Sequence, residues 1–547
     1  MKTRNPFKIM SQLCHNKDKS LTQVIIIIEV KLKKSEGKEM KKMLFVFTLI
    51  GLFVFSACAS YDEYNDGYYE GEYNFEKVQG ETYAEIIENE FISTSDMPLS
   101  TFSTDVDTAA FSNIRRMLND GYLPNKDVVR IEEMVNYFTY DLEAPENDEV
   151  ISIYTELSQA PWNPDHQLLM IGLKAKEIQF EENEGMNLVF LIDVSGSMSS
   201  LDKLPLLKSA IRLLVDQLRP TDRISIVVYA GAAGVVLEGG DSSDKDEIFS
   251  ALNQLQAGGS TAGGAGIQLA YQVAERNFIE GGMNRILIAS DGDFNVGMSS
   301  TTALKELVEE KRDSGVFLSV LGFGTGNLRN DMMETIANHG NGVYYYIDSM
   351  QEAEKVFVHQ LGASMITVAK DVKLQIEFNP TYIKGYRLIG YENRMLTNED
   401  FENDTKDAGD MGSGHVVIAF YEIIPADSEE TIESKTYEFP EELRYSGENH
   451  ADEFVSVAIR YKDPNEDTSL LIEKQGLIAD YTENPSESYR FASSVVEFGL
   501  LLRDSDYQYN ASFDAVLSRA SEALGDDEYG YREEFISLVQ KAKSIHD

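Results

Sequence analysis

The chain has 547 residues, of which 43% are hydrophobic and 10% aromatic, enough to bury the cores of about two to four domains. Lys and Arg number 48 against 92 Asp and Glu, a net charge of −44 that argues against nucleic acid and anionic membrane surfaces as partners. Only two cysteines, Cys14 and Cys58, are present, which excludes a disulfide scaffold and a cysteine zinc site.

The charge is uneven. Residues 1–57 carry a net +7, leaving −51 for the rest. Met40-Lys41-Lys42-Met43 precedes the apolar run Leu44–Phe55 and then Ser56-Ala57-Cys58. A basic start, a short apolar stretch and small residues describe a secretory signal over 40–57. The run is too short to span a bilayer, which takes about 20 apolar residues. Ser56-Ala57-Cys58 resembles a bacterial lipobox, which implies a lipid on Cys58 and an extracytoplasmic chain anchored to a bacterial membrane. Signals rarely begin 40 residues inside a chain, so residues 1–39 are expected to be an upstream extension from an early start. Residues 58–80 are rich in Tyr, Gly and acids without apolar period, as a solvated tether would be.

Spacings of three and four predict helices over 83–91, over about 108–118, and after Asp127 in VVRIEEMVNYFTY. Residues 150–158 and 167–175 alternate and read as strands around the Pro161/Pro164 turn, closing a region that spans 81–180. Residues 181–362 then alternate strand and helix. Asn187–Ile192 is nearly all apolar, as a strand buried on both faces should be. Further strands are predicted near 223–230, 233–237, 284–290 and 317–322, with helices between them. This pattern predicts an α/β fold with a doubly wound, mostly parallel sheet.

From 363 to 547 the class changes. Residues 370–378, 385–391, 415–421 and 453–461 alternate without helices between them. Segments 398–411 and 425–434 read as surface loops, and helices close the chain over about 486–503, 511–524 and 530–544. Neither the strands before the α/β domain nor those after it suffice for a stable sheet. One β-sandwich built from both sides is therefore expected, with the α/β domain inserted near residues 180 and 362 and the N- and C-terminal helices packed nearby as a cap.

The chemical signal lies at three strand-to-helix junctions. Asp193-Val194-Ser195-Gly196-Ser197 follows the first strand, Gly258-Gly259-Ser260-Thr261 opens a helix, and Ser290-Asp291-Gly292-Asp293 follows NRILIA. All side-chain donors are oxygens, which suits Mg²⁺, Mn²⁺ or Ca²⁺. In order and spacing these residues resemble the metal-ion-dependent adhesion site of the von Willebrand factor type A domain. The resemblance implies Ser195, Ser197 and Thr261 as direct ligands, with Asp193 and Asp291 completing the shell, often through water. It implies an open position for an Asp or Glu carboxylate of a protein partner. Asp293 reads as an outer neighbour or as a solvated loop carboxylate.

The flanks extend the likeness. Pro98–Thr108, Asn113-Ile114-Arg115-Arg116, Arg130–Phe138, Tyr386–Arg394 and Phe498–Arg503 resemble YfbK-type bacterial lipoproteins, whose C-terminal domain is uncharacterised. The function expected is metal-dependent binding of an acidic protein partner, with no enzyme activity. An envelope assembly or adaptor role and a hydrolase are the alternatives. No histidine stands between His166 and His339 around the Asp193 turn, no Gly-x-Ser-x-Gly elbow surrounds it, and no Gly-x-x-x-x-Gly-Lys-Ser/Thr nucleotide loop is present.

Overall fold

The computed structural model describes residues 81–547, except 105–106, 148, 179–183, 260–263, 293–300, 313, 327, 361–365, 435–442, 447–449 and 465. The stretches expected to be an upstream extension (1–39), a signal (40–57) and a tether (58–80), Cys58 included, lie outside the described residues.

Before the α/β domain come β1 (Ile92–Ser93), β2 (Leu99–Ser103), β3 (Ile151–Ala160) and β4 (Asn163–Ala175). The domain itself holds β5 (Met186–Asp193), β6 (Arg223–Tyr229), β7 (Ala233–Asp241), β8 (Met283–Ser290), β9 (Phe317–Phe323) and β10 (Tyr344–Ile347). After it follow β11 (Thr367–Phe378), β12 (Ile383–Ile389), β13 (Gly409–Gly412), β14 (Val416–Pro425), β15 (Glu453–Lys462) and β16 (Ser469–Leu477).

β5 to β10 form one six-stranded sheet in the order β10-β9-β8-β5-β6-β7, parallel except for the β6/β7 edge. β5 sits inside, and its alternate residues feed two cores. Leu188, Phe190 and Ile192 pack on one face, Val189 and Leu191 on the other. A strand covered by helices on both sides has no polar face to spare, which is why MNLVFLID reads as an unbroken apolar run.

The remaining strands make two antiparallel sheets, ordered β1-β12-β14-β4-β3 and β13-β11-β15-β16, with β2 also paired to β11. β4 aligns with β14 from Val416↔Lys174 to Ile423↔Gln167, so strands from both sides of the α/β domain share one sheet. The inward faces meet in a single core, where Leu169, Ile171, Leu388 and Tyr421 pack with Leu374, Ile376, Val457 and Ile459. The other face of the β4/β14 sheet, through Leu168, Met170, Ile418 and Phe420, is covered by helices Ala109–Asn119, Ile131–Val135, Glu487–Arg503 and Tyr531–His546. The fold is the one expected: an α/β unit interrupting a β-sandwich, capped by terminal helices.

Local readings needed correction. Residues 83–91 are not helical. Their polar groups serve distant partners: Ile86 N donates to Asp127 Oδ1 at 3.1 Å, and Asn89 Nδ2 donates to the carbonyls of Leu388 and Gly390. Tertiary contacts override a weak helical preference here. The helix after Asp127 shortens to Ile131–Val135. Segment 398–411 is not all loop, since Asn398–Glu402 is a helix with a Thr397/Asp400 capping box and β13 pairs with β11.

Buried ion pairs dock the α/β unit onto its surroundings. Arg115 donates through Nε to Asp348 at 2.9 Å and pairs with Glu352 at 2.8 Å, while Arg130 meets Glu334 at 3.1 Å.

Candidate metal site at the C-terminal edge of the parallel sheet

β5 ends at Asp193, whose side chain is fully buried and turns back on its own loop: Oδ1 accepts from Ser195 N at 2.8 Å. That bond holds the Ser195–Ser197 turn over the strand end. Ser195 Oγ and Ser197 Oγ then lie 2.8 Å apart, the first buried and the second exposed. Met198 drives into the core below and pins the turn from its other side.

The second loop is drawn in by backbone. Gly258 N donates to Val194 O at 2.7 Å, and Gly196 N donates to Gly259 O at 3.2 Å. Gly259 has φ +93°, a conformation that favours glycine. The third loop arrives from β8, next to β5. Ser290 Oγ lies 3.5 Å from Asp193 Oδ2, and Asp291 is fully buried beside it. The Tyr229 hydroxyl at the end of β6 faces both Asp193 and Asp291; burial first, and then the two carboxylates, hold its pKa well above the usual phenol range.

Asp193, Ser195, Ser197 and Asp291 thus gather at one rim, while Thr261 and Asp293 lie outside the described residues. The donors are hydroxyl and carboxylate oxygens over a buried acidic floor, a set that fits a hard divalent cation. A cation already lies on that floor. Lys203 Nζ donates to Asp291 Oδ2 at 2.8 Å.

The matches to known proteins follow this layout. Residues 187–359 match the von Willebrand factor type A domain, residues 363–545 match the family described as uncharacterized protein YfbK, C-terminal, and residues 77–170 match a region described as von Willebrand factor. Uncharacterized protein YfbK of Escherichia coli (strain K12) is 43% identical over 472 residues, covering 85% of this chain and 81% of that one. The chain belongs to the YfbK family. Among solved structures, von Willebrand factor type A from Catenulispora acidiphila aligns with a TM-score of 0.39 at 16% identity, covering 72% of this chain and 91% of that chain. Proximal thread matrix protein 1 from the mussel byssus, solved with a zinc occupied MIDAS motif, aligns with a TM-score of 0.28 at 22% identity, covering 33% of this chain and 46% of that chain.

This YfbK-family chain also contains a residue that the sequence reading passed over. Lys203 stands at the N-cap of helix Leu204–Gln217, the positive end of the helix dipole, where a cation is disfavoured. A lysine there, six residues after Ser197, is the signal that an acid must face it. Another buried carboxylate group among the described residues, Asp107, Glu133 and Glu334, has a different character. Arg130 and Arg394 interleave it, with Arg130 3.1 Å from Glu334 and Arg394 3.3 Å from Asp107. Two guanidinium groups balance two of the three acids, so the cluster is a structural junction.

Proposed function

We propose that this protein is a lipid-anchored cell-envelope adhesion module. In this reading Cys58 carries the lipid, and the A domain holds Mg²⁺, or Mn²⁺ or Ca²⁺, through Ser195, Ser197 and Thr261, with Asp193 and Asp291 in support. The observation that carries it is the convergence of Asp193, Ser195, Ser197 and Asp291 on one strand-end rim with oxygen donors only. When bound, the ion supplies an electron-poor centre that accepts an Asp or Glu carboxylate from a protein partner. This chain's own residues orient that centre: Asp193 fixes the hydroxyl turn, and the Gly258–Gly259 backbone fixes its distance from the neighbouring loop.

Binding rather than catalysis is the reading we favour. Ser195 Oγ has another hydroxyl, Ser197 Oγ, as its neighbour at 2.8 Å, where a nucleophile would need a general base. The test is calorimetric titration of Mg²⁺ and Mn²⁺ into the full-length protein and its Asp193→Ala/Ser195→Ala variant. Saturable binding by the wild type and its loss in the variant are expected. Equal affinity in both would end the assignment.

A further inference from the structure

Lys203 is held in a built position. Its side chain is buried, only 7% of the residue is exposed, and its Nζ donates to the fully buried carboxylate of Asp291 at 2.8 Å. The stem lies across Gly324, where a Cβ would collide with Lys203 Cε and Cγ. No residue but glycine leaves that path open, and Gly324 has φ +70°, which also favours glycine. The turn is braced from outside: Tyr346 Oη donates to Gly324 O at 2.8 Å, and Gly326 N donates to Glu81 Oε1 at 3.2 Å. A lysine placed against the helix dipole, in a channel cleared for its stem, is there for the acid it meets.

We propose that Lys203 is a specificity-determining residue of the rim, weakening metal binding and strengthening the hold on a carboxylate ligand. The inference rests on the adhesion-site reading above. The physical reason is charge balance in a buried place. Among the described residues Asp193 and Asp291 bring two negative charges, and Lys203 cancels one of them. A divalent cation bound over these three groups leaves a net single positive charge, where the two acids alone would leave none. The incoming monoanion then neutralises the site, whereas an amide of the same shape does not. Buried charges act through a lower effective dielectric than water, so one added charge a few ångströms away shifts each affinity by about tenfold or more. The partner group selected is therefore a carboxylate and not the isosteric carboxamide of Asn or Gln.

The experiment uses the full-length protein and Lys203→Met, whose unbranched stem keeps the packing against Gly324. Mn²⁺ is titrated by electron paramagnetic resonance. Acetate and acetamide are then titrated onto the Mn²⁺-loaded proteins while water relaxation reports displacement of metal-bound water. Lys203→Met should bind Mn²⁺ about tenfold more tightly and acetate about tenfold more weakly. Its preference for acetate over acetamide should collapse. These opposite signs are the decisive readout, because a residue that merely props the loop would move both affinities downward. Gly324→Ala, whose Cβ evicts the lysine stem, should reproduce the same pair of shifts if Lys203→Met folds poorly. Mn²⁺ binding by the wild type with both affinities falling together, or neither moving, overturns the role of Lys203. Absence of Mn²⁺ binding by the wild type overturns the adhesion-site reading itself.

Discussion

Asn136 pairs with the backbone of Ile418 as a neighbouring strand would. Its Oδ1 accepts from Ile418 N at 2.7 Å and its Nδ2 donates to Ile418 O at 3.0 Å. β12 ends at Ile389, opposite Phe420, so β14 runs past its partner and Ile418 needs a substitute. Asn136→Ala should leave the Ile418 N–H buried without an acceptor, a loss of about 1–3 kcal/mol. Scanning calorimetry should show the sandwich transition falling by several degrees, and an unchanged transition would mean that another group replaces the amide.

Glu133 gives the molecule a pH dependence of unusual sign. Burial, opposed by Arg130 and reinforced by Glu334 and Glu132, pushes its pKa up to about 8. Its Oε2 accepts from Ala110 N at 2.8 Å, and Asp107 and Glu334 lie close by. The folded chain therefore keeps a proton that the unfolded chain releases in the ordinary glutamate range. Stability from this group is full below that range and is lost as pH rises toward 8. Glu133→Gln should flatten the decline between pH 5 and 8 and raise the melting temperature at pH 8.5. It should change little near pH 4.5. A parallel decline in both proteins would assign the effect to other groups.

The interleaved sheets predict how fragments behave. Residues 184–360 contain the whole six-stranded sheet and should fold alone. Residues 366–547 lack β4, which flanks β14, and β2, which pairs with β11. They also lack Ile131, against which Gly499 packs so closely that a Cβ would sit 2.7 Å from Ile131 Cγ1. That fragment should show no cooperative melt until residues 81–178 are added. A sharp transition from 366–547 alone would defeat the shared sandwich.

Metal removal should be visible as stability. A ligand at a hundred times its Kd stabilises the state that binds it by about 2.7 kcal/mol. Saturating Mg²⁺ should raise the melting temperature of the α/β transition, and EDTA should reverse the gain. Asp193→Ala should be indifferent to both additions. A chelator effect of equal size in that variant would place the ion elsewhere.

The α/β unit was legible because both faces of its sheet are covered, so β5 and β8 print as apolar runs that end in Asp193 and Ser290. The rim was legible for the same reason, since its oxygens follow directly on those runs. β2 was hidden by its composition. LSTFS is wholly buried, yet Ser100 Oγ bonds the Tyr421 hydroxyl at 2.9 Å and Thr101 Oγ1 donates to Asn398 at 3.1 Å. Those partners lie roughly 300 residues away in sequence, where no local pattern can reveal them. β16 was hidden for the opposite reason. As an edge strand with Leu470 and Leu471 about half exposed, it shows no alternation to read.

Housing one unit inside another sets the order in which the chain can fold as it leaves the ribosome. β3 and β4 emerge as a lone hairpin, which is marginal in water. Their completing partner is far off: Gly172 of β4 pairs with Ile418 of β14, 246 positions later. The α/β unit is synthesised in between and can close on its own, so it folds while the hairpin waits. Through that interval the edge of β4 that will meet β14 stays bare, open to any passing strand. Slowing synthesis anywhere between β4 and β14 lengthens this exposure without touching a single contact of the finished protein.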